Sequence, residues 1–282
     1  MGDTLMILRR CKTNSVDIGV TSPPYNKQED KKGWLVKNVK YVGSSDKKTE
    51  EQYQMEQIEV LNELFRVIKP GGSFFYNHKV RWEKGDLIHP MHWISKTLWT
   101  VRQEIIWDRM IAANIRGWRF WQVDERIYWL YKPVNNKKIG TELKSNHALL
   151  TSIWRFPPER NNPHPAPFPV RLPLRCIFSI LGETQKAVVL DPYLGSGTTG
   201  IAAKLLGYSF VGIDISKEYL DLARKRISRL QDYNEIFNQE KEKHIVQKTF
   251  KERKTNGEFT GRFSKENIMT MTPIIPFSKT LF

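Results

Sequence analysis

The segment 21-TSPPYN-26 places two prolines between a serine and a tyrosine, directly after the hydrophobic run 16-VDIGV-20. Because proline has no backbone N–H, this turn offers acceptors, the Ser22 hydroxyl and main-chain carbonyls, with few competing donors. Acceptors held in a fixed geometry suit an exocyclic NH₂ group, whose two hydrogens they would bind. Tyr25 adds a flat ring that could stack on a nucleic-acid base. The alternative is a simple proline turn with a buried tyrosine.

A second candidate site is the glycine-rich segment 191-DPYLGSGTTG-200. Closely spaced glycines after a strand let the backbone approach a nucleotide-like ligand, and the following helix presents its N-terminal N–H groups. The segment lacks the Gly-Lys-Ser/Thr of a phosphate-binding loop and matches the dinucleotide fingerprint only formally, so the loop alone is ambiguous. Asp214 ends the next strand, where an acid typically binds a ribose diol, although a helix-capping acid is also common there. Loop and acid together predict an adenosine-containing ligand with a ribose.

The composition of the 282-residue chain favours a polyanionic partner. It contains 45 Lys and Arg against 30 Asp and Glu, a net charge of +15, and each phosphate that such a surface neutralises releases counterions. A solvated basic surface is the alternative. The two cysteines, Cys11 and Cys176, are too few for a disulfide framework or a four-thiolate site, so no metal is predicted. No segment approaches the ~20 apolar residues of a membrane span, which predicts a soluble, cytoplasmic protein.

Alternating strands and helices must position these residues. The apolar patterns predict strands over residues 16–20, 73–77, 103–108, 125–132, 186–191 and 208–214, and helices over residues 4–10, 58–68, 201–207 and 217–230. The segment 69-KPGG-72 is expected to separate the second helix from the strand that follows it. This alternation predicts an α/β fold with a doubly wound, mostly parallel sheet, in which ligands bind at the carboxyl ends of the strands. The Ser22 turn and the glycine loop would meet at that edge.

Between two of the predicted strands, arginines interleave with aromatic side chains in 109-RMIAANIRGWRFWQVD-124. Arg116 and Arg119 could contact phosphates or guanine edges, and Trp118 lies between them. The alternative is that the aromatic residues belong to the core and the arginines form only a solvated rim. We interpret residues 109–162 as a target-recognition insertion, with these three residues as its predicted DNA contacts.

Together, these segments resemble the motifs of amino-directed DNA methyltransferases. The turn TSPPYN resembles their catalytic motif, DPYLGSGTT their S-adenosylmethionine loop, and 211-VGIDIS-216 their ribose-binding motif. The segments 2-GDTLMIL-8 and 164-HPAPFPVRLPLRCI-177 are similar to the family segments that precede the catalytic motif and the cofactor strand. The catalytic motif comes before the cofactor motif, which is the order of the circularly permuted β group. The resemblance covers residues 1–230, and residues 231–282 are expected to form a weakly patterned C-terminal tail.

The resemblance implies a Rossmann-like class I methyltransferase. Such an enzyme transfers a methyl group from S-adenosylmethionine to the exocyclic amine of a base flipped out of double-stranded DNA. The residues that it assigns to catalysis are Ser22, Pro23, Pro24 and Tyr25. The residues that it assigns to cofactor binding are Asp3, His164, Pro165, Phe168, Asp191, Pro192, Tyr193, Gly195, Ser196, Gly197, Thr198, Thr199, Asp214 and Ser216. The long loop after Asn26 is the expected lid.

The Ser-Pro-Pro-Tyr form of the catalytic motif accompanies N4-cytosine enzymes in this family, so N4 of cytosine is the expected target and N6 of adenine the alternative. The resemblance also implies a bacterial restriction–modification system, with a cognate restriction endonuclease or a companion methyltransferase as functional partner, and a monomer or homodimer. A second alternative is a basic nucleic-acid-binding protein with a non-catalytic cofactor site, which the complete motifs oppose. A third is an RNA or protein methyltransferase, which the permuted motif order opposes.

Overall fold

The computed structural model describes residues 1–26, 48–112, 115–135, 151–160, 162–164, 167–182, 186–244 and 255–257. The chain divides into two compact units, Met1–His244 and Ile245–Phe282. The first unit contains all the helices and strands discussed below. None of the helices in the described ranges has the length and apolar character needed to cross a membrane.

The described part of the first unit alternates helices with strands. Its helices are α1 (Thr4–Arg10), α2 (Glu50–Val67), α3 (Met91–Ile94), α4 (Arg171–Leu181), α5 (Thr198–Leu205), α6 (Lys217–Ile227) and α7 (Asn234–His244), with a 3₁₀-helix at Leu230–Tyr233. Its strands are β1 (Val16–Thr21), β2 (Ile68–His78), β3 (Arg81–Glu83), β4 (Asp86–Ile88), β5 (Thr100–Asp108), β6 (Asp124–Tyr131), β7 (Ile153–Arg155), β8 (Val188–Asp191) and β9 (Ser209–Gly212).

Seven of these strands form one sheet in the order β7-β5-β6-β2-β1-β8-β9, and β3 pairs with β4 in a separate hairpin. Strand β6 is antiparallel to its neighbours β2 and β5, and the other neighbouring pairs of the large sheet are parallel. The mostly parallel sheet predicted from the sequence is therefore confirmed. Because β1 and β8 are adjacent and parallel, the turn after β1 and the glycine loop after β8 leave the sheet at the same edge.

Helices cover both faces of the sheet. One hydrophobic cluster joins α1, α2 and α3 to strand residues that include Phe74, and another joins α4 and α5 to strand residues that include Phe75. Since successive side chains of a strand point to opposite faces, the two clusters lie on opposite sides of the sheet. This arrangement confirms the doubly wound fold.

Helix α2 has defined ends. At its N-terminus, Thr49 and Gln52 form a reciprocal capping box, which explains why the helix begins at Glu50 rather than at residue 58 as predicted. At its C-terminus, the Lys132 Nζ donates hydrogen bonds to two main-chain carbonyls, each at 2.7 Å. A cation at this end also interacts favourably with the helix dipole.

Strand β2 passes through the segment 69-KPGG-72. The helix ends before this segment, as predicted, but the strand begins at Ile68 and not at residue 73, where the prediction was wrong. Val16 and Ile18 of β1 pair with Ile68 and Ser73 of β2, so that the residues in between are accommodated as an irregularity in the ladder. The proline and the paired glycines thus produce a bulge within a continuing strand.

The C-terminal end of the first unit also differs from the expected tail beginning at residue 231. The compact unit continues to His244, and α7 packs against α4. Arg175 of α4 and Glu240 of α7 form a buried ion pair, with N–O distances of 2.5 and 3.0 Å. The sequence prediction failed because α7 carries only a few apolar residues in a polar segment. Of these, Ile236 and Phe237 pack against the core, and the charged pair with Arg175 adds a further contact.

Candidate active site

Asp191, at the end of β8, joins the two motif-bearing loops. Its Oδ1 accepts hydrogen bonds from the Thr21 hydroxyl at 2.6 Å and the Tyr193 N–H at 3.0 Å. Its Oδ2 accepts one from the Thr199 hydroxyl at 2.7 Å. The side chain is fully buried, and this burial raises the pKa of Asp191 to about 6 although the hydrogen bonds act to lower it. Asp191 thus holds the turn and the glycine loop together, and its predicted contact with a ligand stays a prediction.

The raised pKa of Asp191 leads to a testable pH dependence. Because this pKa lies above the ordinary value of 3.8, the carboxyl stabilises the fold at low pH, and that contribution is lost as the pH rises through about 6. Compared with the Asp191→Asn variant, which cannot ionise, the parent should lose roughly 1 kcal/mol of unfolding free energy between about pH 5 and about pH 8. Urea denaturation of both proteins measures the difference. A difference that stays constant with pH would contradict the raised pKa.

Gly195 and Gly197 give the glycine loop its shape. Both adopt left-handed backbone conformations, with φ of +50° and +80°, which favour glycine. A Cβ on Gly195 would lie 2.9 Å from His164 Nε2, and one on Gly197 would lie 2.6 Å from the Ala223 Cβ. Gly197 also begins α5 without a side-chain hydrogen bond. Among the described residues, no capping side chain therefore binds the first N–H groups of this helix, which suits an approaching ligand.

Asp214 follows β9 and faces the glycine loop. Its Oδ2 accepts a hydrogen bond from the Gly195 N–H and its Oδ1 accepts one from the Ser216 N–H, both at 2.8 Å. Burial raises the pKa of Asp214 above its ordinary value, although the residue is still partly exposed. Each carboxylate oxygen can accept a further hydrogen bond. Asp214 therefore has the acceptors that the two hydroxyls of a ribose require.

Several other predicted cofactor ligands have partners within the protein. Asp3 caps α1 and Ser216 caps α6, each by accepting a main-chain N–H, at 3.0 and 3.3 Å. The Pro192 carbonyl accepts the Thr4 hydroxyl at 2.7 Å. Phe168 belongs to the hydrophobic cluster of α4 and α5. These contacts give the four residues structural roles, whatever they add to ligand binding.

Arg226 of α6 donates hydrogen bonds to the glycine loop, a role that the sequence did not predict. Its Nη1 donates to the carbonyl and the hydroxyl of Ser196, at 2.9 and 2.8 Å, and to the Thr198 hydroxyl at 3.1 Å. Its Nη2 donates to Glu159 at 2.5 Å, which links the loop to the segment before His164. No local motif marks Arg226, because its partners come from distant parts of the chain. Of the residues that the resemblance assigns to cofactor binding, Pro165 lies outside the part of the chain that the structure describes.

The turn after β1 contains a connected group of polar side chains. The hydroxyl oxygens of Ser22 and Tyr25 lie 2.5 Å apart, and the Tyr25 hydroxyl donates to Glu125 Oε2 at 2.9 Å. Asn77 Nδ2 lies 3.3 Å from Ser22 Oγ, 2.9 Å from Tyr25 Oη and 2.8 Å from Glu125 Oε2. Arg109 Nη1 lies 3.2 Å from Glu125 Oε1. Of these residues, the sequence predicted Ser22 and Tyr25 and missed the other three.

The main chain of the same turn is held from the side of α2. The Tyr53 hydroxyl donates to the Pro24 carbonyl at 2.8 Å and lies 2.7 Å from His78 Nε2. The ring centroids of His78 and Tyr25 are 4.5 Å apart. Pro23 and Tyr25 are buried, so the predicted stacking of Tyr25 on a base requires the pocket to open. These contacts fix the position of the turn within the fold.

Asn26 closes the end of the turn. Its side-chain amide donates to the Lys48 carbonyl and accepts the Lys48 N–H, both at 3.0 Å. This pair joins the two ends of the segment predicted as a lid, whose residues 27–47 lie outside the described part of the chain.

The predicted DNA-contacting segment exposes its aromatic residues. The exposed fractions are 59% for Trp118, 97% for Phe120 and 62% for Trp121. The interpretation of these residues as core is therefore wrong. Arg116 and Arg119 are half-buried, and the Arg119 guanidinium lies 3.9 Å from the ring centroid of Trp82. The segment joins the end of β5 to the start of β6, so it emerges at the same sheet edge as the Ser22 turn.

Comparison with known proteins identifies the family of this chain. The sequence model of the N6/N4 DNA methylase family matches residues 16–225. The Type II methyltransferase M.BglII of Bacillus subtilis is 29% identical over 277 residues, which cover 84% of this chain and 70% of the relative. TTHA0409 of Thermus thermophilus, solved in complex with S-adenosyl-L-methionine, has 26% identity and a TM-score of 0.56 over 82% of this chain and 94% of its own.

A third relative supports the fold alone. PvuII DNA methyltransferase (cytosine-N4-specific) has a TM-score of 0.63 at 18% identity, over 84% of this chain and 91% of its own.

The acceptors of Asp214 and the uncovered start of α5 fit the ribose and the polar groups of S-adenosylmethionine. The chain belongs to the N6/N4 family of DNA methylases, and its cofactor is S-adenosylmethionine.

Proposed function

We propose that this protein is a site-specific DNA methyltransferase that methylates the N4 amine of a cytosine flipped out of double-stranded DNA. The observation that carries this proposal is the Ser22 hydroxyl, held at the carboxyl end of β1 by Tyr25 and Asn77. The likeness to a Type II methyltransferase supports a role in a restriction–modification system. The Ser-Pro-Pro-Tyr form of the turn favours cytosine, and N6 of adenine is the alternative target.

The residues of the turn account for the chemistry by position. S-adenosylmethionine supplies an electrophilic methyl group on its sulfonium. The Ser22 hydroxyl and the Pro23 carbonyl accept the two hydrogens of the target amine, which directs the nitrogen lone pair out of the ring and towards the methyl group. The same oxygens stabilise the positive charge that develops on the nitrogen. Tyr25 stacks on the flipped base once the pocket opens.

We further propose that Arg116, Trp118 and Arg119 contact the DNA duplex. They lie on a segment that emerges at the same sheet edge as Ser22, and the net charge of +15 favours a polyanion. Exposed aromatic rings beside arginines suit both phosphate contact and stacking on bases.

Substitution of Arg119 tests this surface. Arg119→Ala should raise the Kd for duplex DNA about 3- to 10-fold. The slope of log Kd against log salt concentration should also decrease by about 1, the amount that corresponds to one lost phosphate contact. Fluorescence anisotropy at several salt concentrations measures both quantities. The matched control is Arg224→Ala on α6. This helix follows β9, the outermost strand on the side of the sheet away from β5 and β6, so the substitution should not change either value. Equal effects of the two substitutions would refute the assignment.

Substitution of Asp214 tests the ribose contact. Asp214→Ala should raise the Kd for S-adenosylmethionine by about 10-fold or more, because hydrogen bonds to a charged acceptor contribute about 1.5–3 kcal/mol each. Isothermal titration calorimetry measures the Kd. The control is Asp221→Ala, an exposed aspartate of α6 whose ion pairs lie at the surface. Cofactor binding by Asp214→Ala as tight as in the parent would remove Asp214 from the cofactor site.

The identity of the methylated base tests the proposed function itself. The protein is incubated with S-adenosylmethionine carrying a labelled methyl group and with mixed-sequence duplex DNA, and the DNA is digested to nucleosides for mass spectrometry. N4-methylcytosine is the expected product. N6-methyladenine would identify the alternative target. No labelled nucleoside, despite saturable cofactor binding, would contradict the proposal and favour a nucleic-acid-binding protein with a non-catalytic cofactor site.

A further inference from the structure

We infer that the carboxylate of Glu125 sets the direction of the hydrogen bonds in the catalytic turn, so that Ser22 presents a lone pair, and not its hydrogen, to the target amine. This inference rests on the proposed function, since it concerns how Ser22 meets an amine. Glu125 acts through Tyr25 and touches no reacting atom, which makes it a positioning residue.

The directions follow from which atoms carry hydrogens. Tyr25 donates its single hydroxyl hydrogen to Glu125 Oε2, 2.9 Å away, while Glu125 Oε1 pairs with Arg109. The 2.5 Å contact between Tyr25 and Ser22 must then use the hydroxyl hydrogen of Ser22. Both hydroxyl hydrogens are consequently directed towards Glu125. The Ser22 oxygen then acts only as an acceptor: one lone pair faces Asn77 Nδ2 at 3.3 Å, and the other is left for the target amine.

Asn77 supports the same polarity. Its Nδ2 lies within hydrogen-bonding distance of oxygens of Ser22, Tyr25 and Glu125. An amide oxygen in this position would face the carboxylate oxygen at 2.8 Å and repel it, so the NH₂ group must be the one that faces the cluster. Asn77 therefore adds hydrogens to the oxygens of the cluster and competes for none of the donors.

This polarity matters for the reaction because of the lone pair on the target nitrogen. If Ser22 donated its hydrogen to that nitrogen, the hydrogen bond would occupy the lone pair that must attack the methyl group. With its hydrogen committed to Tyr25, Ser22 can only accept from the amine. Glu125 is 7% exposed and pairs with Arg109 at 3.2 Å. The final acceptor of the hydrogen bonds that run from Ser22 through Tyr25 is therefore a fixed group of the protein and not a water molecule.

The Arg109 contact makes Glu125→Gln an informative substitution. A glutamine has one oxygen and one NH₂ group where the glutamate has two oxygens. The Arg109 cation favours the oxygen on its side, which turns the NH₂ towards Tyr25 and Asn77. A donor at that position cannot accept the Tyr25 hydrogen, so the directions set by the carboxylate are lost. Tyr25→Phe interrupts the same series at its middle and keeps the aromatic ring.

A double-mutant cycle with these two substitutions tests the inference. Single-turnover methyl transfer should fall by about 10- to 100-fold in Glu125→Gln and in Tyr25→Phe, while the Kd values for S-adenosylmethionine and DNA stay within about twofold of the parent. The double variant should be no slower than the slower single variant, because both substitutions break one series of bonds. Melting temperatures and cofactor titration verify that each variant is folded.

The other outcomes separate the inference from the proposed function. Effects that multiply in the double variant, or a parental rate in Glu125→Gln, would overturn the inference alone, because the parent still transfers methyl groups. If Glu125→Gln does not fold, a parental rate in Tyr25→Phe overturns the inference by itself. A parent that transfers no methyl group to any DNA overturns the proposed function and the inference together.

Discussion

Replacement of Ser22 by alanine is expected to lower the rate of methyl transfer by about 10²- to 10³-fold, the usual effect of removing one preorganised group that stabilises developing charge. The variant loses the acceptor for one amine hydrogen, and the lone pair of the target nitrogen is then less well directed. The Asp191 contacts and the Pro24–Tyr53 contact, which hold the turn, do not involve the Ser22 side chain. The Kd for S-adenosylmethionine should therefore stay within about twofold of the parent.

Single-turnover kinetics with labelled cofactor, beside calorimetric titration of the cofactor, separate these two effects. Ser228→Ala provides the matched control, since Ser228 lies at the end of α6 on the surface, and it should leave both values unchanged. A rate for Ser22→Ala close to that of the parent would remove Ser22 from the catalytic group. A large rise in the Kd for the cofactor would instead indicate that the substitution disturbs the neighbouring glycine loop.

The second large effect concerns stability. Glu240→Ala is expected to lower the free energy of unfolding by about 3–5 kcal/mol, because it leaves the buried guanidinium of Arg175 without its partner. Arg175 and Glu240 are only 5% and 2% exposed. Arg175 also packs over the rings of Trp154 and Phe156, at 5.0 and 5.3 Å, and so cannot turn to solvent without losing these contacts.

Urea denaturation measures this loss. Glu242→Ala is the control, since Glu242 is exposed on the same helix and should change the unfolding free energy by less than about 0.5 kcal/mol. The double substitution Arg175→Met with Glu240→Leu should recover most of the stability, because an apolar pair needs no charge compensation. If Glu240→Ala were as stable as the parent, α7 would not be anchored by this ion pair.

The parts of the fold that can be predicted are those whose signals are local in the sequence. The unit from β8 to α6 alternates buried runs with glycines, and the turn at Ser22 follows a short apolar run. The sequence therefore correctly places the glycine loop and the Ser22 turn at the carboxyl ends of the parallel strands. The segment 69-KPGG-72 predicts the end of a helix, and α2 does end before it. Its proline and glycines also disfavour a regular strand, yet pairing with β1 carries β2 through the segment as a bulge. Tertiary pairing overrides the local preference there.

The candidate site is predictable only in part, for a related reason. Ser22 and Tyr25 stand in one short motif, whereas Glu125 lies 100 residues from Tyr25 in the chain and reaches it through an antiparallel strand. A lone glutamate at the start of a strand carries no signal of such a contact. For Asp3 and Ser216 the local signal is present but has two readings. The motifs that mark them as cofactor ligands also place them at the N-termini of α1 and α6, where they cap the helices.

The reversed direction of β6 has a consequence for how sequence specificity can diversify. Because β6 runs against its neighbours in the ladder, its first residues, including Glu125, lie at the edge where the parallel strands end. The ladder of β5 and β6 closes at the pair Asp108 and Asp124, and residues 109–123 connect the two strands in the chain. Loop-closure entropy rises by only about 0.6 kcal/mol for each doubling of length, so this connecting segment can be exchanged or extended while the closing pair stays in register. On the proposal that this segment contacts DNA, a change of target requires changes within one hairpin only, while the carboxylate of Glu125 beside it stays in place.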